Sequence, residues 1–373
     1  MTLHQITKMI LKSQPSIDNN RCHDQHAYQP LIPGLPDEIS EQCLLHLPYP
    51  YQSLLRAVSS SWNKALTDPN FHLSKITQPH IFVFAFRNTS SSSSSLIQWQ
   101  SFDPRSRRWF VLPSMPIPCP VSPPSLASAA LPHRSSIYVL GGLRSDTHSP
   151  LPTVFTYSAA ANKWSAAAPM STPRSFFSAG VIGGKIYVAG GSGSEAAVER
   201  YDPEMDTWMS AAKMRTGLAR YEAATVGGRM YVTEGWTWPF SFAPRGGVYD
   251  AASDTWREMR EGMKEGWTGV SVVVGERLFM ITEHCECRLK VYVAEDDTWQ
   301  YVGGERFPCE EVRRPFAVCA AEGRIYVVAG GLRTAVGTLS EAAERRLNVE
   351  WEVVEAPEAF GDLVPMSSHV LDS

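Results

Sequence analysis

An aromatic residue followed seven positions later by tryptophan recurs five times in this chain. Tyr201 precedes Trp208 in "YDPEMDTW". Tyr157 precedes Trp164, Tyr249 precedes Trp256 and Tyr292 precedes Trp299, while Phe102 takes the aromatic place ahead of Trp109. A second motif has the same period: "IYVLGG" (137–142), "IYVAGG" (186–191), "MYVTEG" (230–235), "LFMITE" (278–283) and "IYVVAGG" (325–331). Its aromatic positions, Tyr138, Tyr187, Tyr231, Phe279 and Tyr326, are 49, 44, 48 and 47 residues apart. A further apolar run lies upstream of each, such as "SFFSAGVI" (175–182), "YEAATV" (221–226) and "GVSVVV" (269–274). A period of 45–50 residues with four short strands per unit describes a propeller blade rather than a helical solenoid.

Each part of the unit has a physical reason. The second strand is apolar almost without alternation, as expected of a strand covered on both faces. The Gly pair that closes it permits positive φ and close backbone approach. Asp202-Pro203 suits a type I turn, with Asp first and Pro where φ must lie near −65°. The Trp that opens the fourth strand takes on the order of 150–250 Å² out of water, worth roughly 4–6 kcal/mol. On this reading the octet is the outer hairpin of a blade, and its Trp is expected to wedge against the next blade.

The first and last units are irregular. "IFVFAF" (81–86), "LIQWQSF" (96–102) and "RWFVLP" (108–113) supply strands two to four of a first blade, with a serine run, Ser90 to Ser95, between the first pair. No strand one precedes them. The chain's end, "PMSSHVLDS" (365–373), is a strand one without a unit of its own. Pairing the two would close the ring and remove two open edges. A sixth hairpin around "NVEWEVV" (348–354) keeps Trp351 but has Glu344 seven residues earlier. The expected blades run over about 81–113, 126–169, 174–214, 220–260, 268–303 and 315–354, with 365–373 closing the first.

Composition sets the outer limits. With 373 residues, 43% of them hydrophobic, the chain is long enough for a full core. A net charge of −4 argues against a nucleic-acid or anionic-membrane partner, both of which need a basic face. The apolar runs are short: "GVSVVVG" (269–275) is interrupted by Glu276 and Arg277, far short of a membrane span. The N-terminus has no long apolar region followed by a small-residue cleavage site, so no secretory signal is read and residues 1–28 are expected to form a disordered tail. The seven Cys then read as reduced cytosolic or nuclear thiols, mostly small core residues. "EHCEC", with His284, Cys285 and Cys287, lacks zinc-ligand spacing and a second pair, so no metal or other cofactor is expected.

Residues 31–75 differ from the rest. Pro36 fits a first helical turn, with Asp37 and Glu38 at the positive end of the helix dipole. Ile39, Cys43, Leu44 and Leu47 form one apolar stripe ended by Pro48, and Leu54, Leu55, Val58, Trp62 and Leu66 form a second. Two or three short helices cannot bury that surface alone. Taken by themselves, these residues describe a helical cap packed on the propeller.

These motifs carry two family resemblances. The Gly pair, the Tyr and the Trp seven residues later resemble the kelch repeat over about residues 81–373, with Glu234-Gly235 and Glu283-His284 departing from Gly-Gly. Leu35-Pro36, Leu47-Pro48 and Val58 with Trp62 resemble the F-box, read over residues 29–75, although "SSSW" (59–62) stands where Cys-Lys-x-Trp is usual. The order resembles the F-box/kelch proteins especially numerous in plants. The expected fold is thus an all-β six-bladed kelch propeller preceded by a small all-α F-box domain.

That resemblance implies a non-catalytic substrate receptor of a Skp–cullin–F-box ubiquitin ligase, cytoplasmic or nuclear. The F-box would dock on a Skp-type adaptor, and through it on cullin and RING subunits, while the propeller holds a target protein for ubiquitination. Leu35, Pro36, Ile39, Leu44, Leu47, Pro48, Val58 and Trp62 are the expected adaptor contacts, with packing inside the F-box as the alternative for each. For the target, the loop "WTWPFSFAPRGG" (236–247) offers Trp236, Trp238, Phe240 and Phe242, with Arg174, Arg220 and Arg314 expected on the same face. The alternative for those aromatics is a plug in the propeller channel. Two other functions remain: a kelch scaffold or sequestering receptor, and an enzyme like galactose oxidase, whose copper-ligand pattern is missing here.

Overall fold

The computed structural model describes residues 30–47, 49–51, 55–67, 78–87, 96–191, 196–215, 222–234, 244–282, 287–341 and 346–372. Six sheets stand around a ring, antiparallel except for one short parallel pair in blade 6, and the helices Asp37–Leu45 and Ser60–Thr67 precede them. Blade 2 runs outward through Val121–Leu131, Ser136–Arg144, Val154–Ser158 and Lys163–Ala167. Blade 3 runs through Ser178–Ile182, Lys185–Ala189, Val198–Asp202 and Thr207–Ala211. Blades 4 and 5 repeat the order from Glu222 to Glu258 and from Gly269 to Tyr301. Blade 2 begins five residues earlier than the sequence pattern suggests, because a bulge between Ser122 and Leu126 lengthens its inner strand.

The ring closes through the chain's end. Leu363–Asp372 is the innermost strand of blade 1 and pairs along all of Pro79–Arg87, with a bulge between Phe84 and Ala85. The six innermost strands touch in circular order, Leu363–Asp372 lying between those of blades 6 and 2. Blade 6 carries an addition that the repeat pattern does not announce. Gly303–Gly304 pairs in parallel with Asn348 and Val349 and covers its outer edge. At Gly304, with φ +88°, a Cβ would lie 2.3 Å from the Val349 carbonyl oxygen, so glycine is what lets the two backbones approach.

The second strands form the core. Ile81–Ala85, Ile137–Leu140 and Ile186–Ala189 are buried on both faces. Gly141 shows why the closing Gly pair is needed: its φ is +64°, and a Cβ there would meet the Arg174 carbonyl at 2.5 Å. Apolar clusters span every blade joint, and the hairpin Trp belongs to the joint with the preceding blade, not the following one. Trp208 of blade 3 packs among Leu131, Leu140 and Met170, and Trp256 of blade 4 among Val198 and Met214. The cause is the register: Tyr201 pairs directly with Trp208, so both side chains leave the sheet on the face turned back toward blade 2.

A hydrogen-bonded clamp accompanies that packing. Tyr201 donates its hydroxyl to Asp206 Oδ1 at 2.6 Å, and the same oxygen accepts the Ala168 amide at 2.9 Å. Trp208 Nε1 donates to the Ala168 carbonyl at 2.8 Å. Both backbone groups of one residue leaving blade 2 are thus held by blade 3. Blade 4 repeats the clamp on Ala212 through Tyr249, Asp254 and Trp256. In blade 5, Asp297 and Trp299 hold Met263 in the same way. The acceptor closes the hairpin turn in the left-handed region at Asn162, Asp206, Asp254 and Asp297, where Asn and Asp are tolerated. Blade 1 has Arg107 there, which instead pairs with Glu352 of blade 6 at 2.8 Å.

Candidate functional site

The F-box region contains the helices Asp37–Leu45 and Ser60–Thr67, which pack together through Leu44 and Leu66. The second helix is shorter than its apolar stripe suggests, because residues 56–58 form a turn and Ser59 stops the helix from extending back into it. Ser59 Oγ accepts the Trp62 amide at 3.1 Å. The Ser59 that departs from the F-box pattern therefore supplies the N-cap of this helix. Trp62 Nε1 donates to the Leu31 carbonyl, tying the helix back to the chain entering the domain.

The expected adaptor residues divide by exposure. Leu44 is buried, and Leu47 and Trp62 pack against it, so these three serve the domain's own core. Leu35, Ile39 and Val58 are 37%, 50% and 44% exposed. Pro36 is exposed beside them, and Cys43 continues the Leu35–Ile39 line at a spacing of four. Pro48 lies outside the described residues.

Tyr49, a residue that sequence reasoning missed, seats the domain on the propeller. It is 6% exposed, and its ring meets His80 at 5.4 Å and Phe82 at 5.6 Å. Its hydroxyl bonds that of Tyr157 in blade 2, and burial pushes the pKa of both phenols up. Tyr51 packs edge-on against Phe110 of blade 1. His80 opens the second strand of blade 1 and Tyr157 lies near the end of the third strand of blade 2. The F-box therefore sits on the side that bears the strand 1–2 and strand 3–4 turns. The 2–3 loops and the crossovers between blades emerge on the opposite side, here called the open side because none of the described F-box residues lies there.

On that open side the structure corrects one expected contact. Arg174 has no exposed side-chain surface: it pairs with Glu199 at 2.7 Å and donates to the Gly190 and Ala197 carbonyls. Glu199 also accepts the Ser171 amide at 2.8 Å. Burial pushes the Glu199 carboxyl up, but its bonds to Arg174 and Ser171 outweigh burial and hold it below the usual range. Arg174 is thus an internal strut of the crossover into blade 3, inaccessible because compensating its charge needs all of those acceptors. Two residues further on lies a second residue that sequence reasoning missed. Phe177 and Ser175 are buried on either side of Phe176, which stands out 45% exposed at φ +53°. A bulky side chain in the left-handed region costs energy and marks a position worth a functional account. The signal was present in "RSFF", where two adjacent Phe cannot both face the core of one strand.

Arg314 is exposed, with its guanidinium 5.5 Å from the Phe316 ring. Arg220, Trp236, Trp238, Phe240 and Phe242 lie outside the described residues. The base of the aromatic loop is defined: Arg245 pairs with Glu234 through two bonds of 2.7 and 2.9 Å. Among the described residues no group of three His, Cys, Asp or Glu could hold a metal ion. No helix there is long and apolar enough to cross a membrane.

The cysteines also depart from expectation. Cys319 is buried, which pushes its thiol up to about 12, whereas Cys43 is exposed and Cys119 half-buried. Cys287 and Cys309 are joined as a disulfide rather than standing as separate thiols.

Comparison with known proteins identifies the architecture. Residues 32–74 match the F-box domain family, and residues 112–330 match the FKB95, Kelch-repeats domain family. F-box protein AFR of Arabidopsis thaliana is 49% identical over 354 residues, covering 92% of this chain and 93% of that protein. A second Arabidopsis thaliana protein, described as F-box/kelch-repeat, is 37% identical over 92% of this chain and 87% of its own length. The F-box/kelch-repeat protein SKIP25 of the same plant is 26% identical over 91% and 89%. A helical F-box followed by a six-bladed propeller defines a two-ended receptor, one end for a Skp-type adaptor and the other for a target protein. The chain belongs to the F-box/kelch-repeat family, whose members are generally non-catalytic.

Proposed function

We infer that this chain is the substrate receptor of a Skp–cullin–F-box ubiquitin ligase and performs no chemistry itself. The observation that carries this reading is the split within the F-box: Leu44 and Leu66 form its core while Leu35, Ile39 and Val58 remain at its surface. Among the described residues these apolar side chains stay exposed on a domain already seated through Tyr49, and an adaptor interface would cover them. Cullin and RING subunits would join through the adaptor. Ubiquitin transfer would occur on those partners, with the receptor contributing proximity. Work with such partners would put the protein in the cytosol or nucleus, and its net charge of −4 disfavours nucleic acid or an anionic membrane as an alternative ligand.

The target is assigned to the open side, around Phe176, Arg314 and the loop between Glu234 and Arg245. Phe176 meets the description of an interface anchor: aromatic, exposed, and bonded through its own amide to the Ser125 carbonyl at 3.1 Å, two residues along the chain from the buried Arg174. The test uses two variants in co-purification. Ile39→Asp should abolish binding to a purified Skp-type adaptor and leave the melting temperature of the propeller unchanged. Phe176→Ala should retain the adaptor and lose proteins that accumulate on the Ile39→Asp receptor in cells. Normal adaptor affinity in Ile39→Asp would refute the receptor reading.

A further inference from the structure

We propose that Cys287 and Cys309 form a reversible disulfide that fastens blade 5 to the crossover into blade 6 on the open side. The two residues are 22 apart in sequence with Cα atoms 6.2 Å apart, inside the range a disulfide spans without backbone movement. Their approach does not depend on the bond. The Phe307 amide donates to the Cys287 carbonyl at 2.7 Å, and the Cys309 amide donates to the Phe307 carbonyl at 2.8 Å. Phe307 is itself 2% exposed, its ring set against Phe316 at 5.4 Å and Trp351 at 5.1 Å. Val312, just beyond, is fully buried. Packing and backbone bonds thus hold the sulfurs together in either redox state, which is what a pair that opens and closes without unfolding requires.

Access is asymmetric. Cys309 is exposed, whereas Cys287 is half-buried against the apolar joint of blades 5 and 6. Cys309, the more exposed residue, is therefore the entry point for an external thiol or disulfide, since access governs which sulfur is attacked. In oxidation by glutathione disulfide, the Cys309 thiolate attacks one glutathione sulfur, forms a mixed disulfide and releases a glutathione thiolate. Cys287 gives its proton to water and attacks the Cys309 sulfur, expelling the second glutathione thiolate. Two cysteines are oxidised and one glutathione disulfide is reduced to two thiols. Reduction runs the same steps backwards, beginning with a glutathione thiolate on Cys309. In the cytosol or nucleus, glutathione would set the balance. The oxidised form would fix the end of the blade 5 loop, beside the target side, to the crossover.

Glutathione titration of the full chain, with acid quenching, alkylation and peptide mass analysis, tests this. The Cys287–Cys309 cross-linked peptide should dominate at high glutathione disulfide and vanish as reduced glutathione rises. The reduced protein should stay folded, melting only about a few degrees lower. Cys287→Ser should trap one glutathione on Cys309, Cys309→Ser should acquire far less, and Cys285→Ser should behave as the parent does. A cross-link to Cys285 would overturn the proposal, as would a bond that survives excess reduced glutathione or a protein that unfolds on reduction.

Discussion

Replacing Asp254 by alanine isolates the energetic worth of the blade clamp. The Asp254 carboxylate accepts the Tyr249 hydroxyl at 2.6 Å and the Ala212 amide at 2.8 Å, beside the Trp256 bond to the Ala212 carbonyl. Its hydrogen bond from Tyr249 holds this carboxyl below the usual range. Alanine deletes both acceptor bonds and leaves a Cβ-bearing residue at φ +50°. Asp254 is exposed, so water takes over part of its role, and each lost bond is set at about 0.5–1 kcal/mol. Alanine in the left-handed region adds about 1 kcal/mol, for a total of about 2–3 kcal/mol. Asparagine keeps an oxygen and tolerates that backbone, so Asp254→Asn should cost only about 0.5 kcal/mol. Asn162 already fills this position in blade 2, where it accepts the Tyr157 hydroxyl at 2.7 Å. Urea unfolding of both variants, followed by circular dichroism, measures the difference. The clamp argument fails if alanine costs less than about 0.5 kcal/mol or if asparagine costs as much as alanine.

Three further outcomes are expected. Deleting residues 363–373 removes the inner strand of blade 1 and exposes two edges, so the truncated chain should lose its cooperative melting transition or aggregate; a melt within a degree or two of the full chain would exclude closure as a source of stability. Arg174→Met should destabilise by about 3–5 kcal/mol by leaving Glu199 charged and buried, and adding Glu199→Leu should restore most of it, as denaturation midpoints will show. His369 bonds Ser128 Oγ at 2.8 Å, and burial lowers its pKa to about 4. The unfolded chain therefore takes up this proton first, so stability should fall as pH drops from about 6.5 to 4 and gain no further loss from His369 below that. His369→Gln should flatten that window in melts recorded against pH.

Much of the fold was legible because a propeller is built from local units. The Tyr–Trp offset of seven is the cross-strand register of a short hairpin, and the run before the Gly pair is a strand buried on both faces. Periodicity of this kind survives in one dimension because the partner strand is only a few residues away. The site was less legible. Arg174 and Arg314 look alike in sequence, but only Arg174 has a Glu199 across the next hairpin to draw it inside. Leu35 and Leu44 are both apolar F-box positions, but one faces solvent and the other the domain core.

The sequence by itself determined the number of blades, the strand order within each, the F-box ahead of them and the need for a strand from the chain's end. These rest on spacing, apolar pattern and turn chemistry, which act over tens of residues. Tertiary structure alone decided which blade each Trp packs against, that Tyr49 seats the F-box opposite the open loops, and that Cys287 meets Cys309. It also turned Phe176 outward while burying Arg174 and Phe177 around it. Those outcomes depend on which face of a strand meets which distant neighbour, a relation fixed by packing around the closed ring and carried by no local stretch of chain.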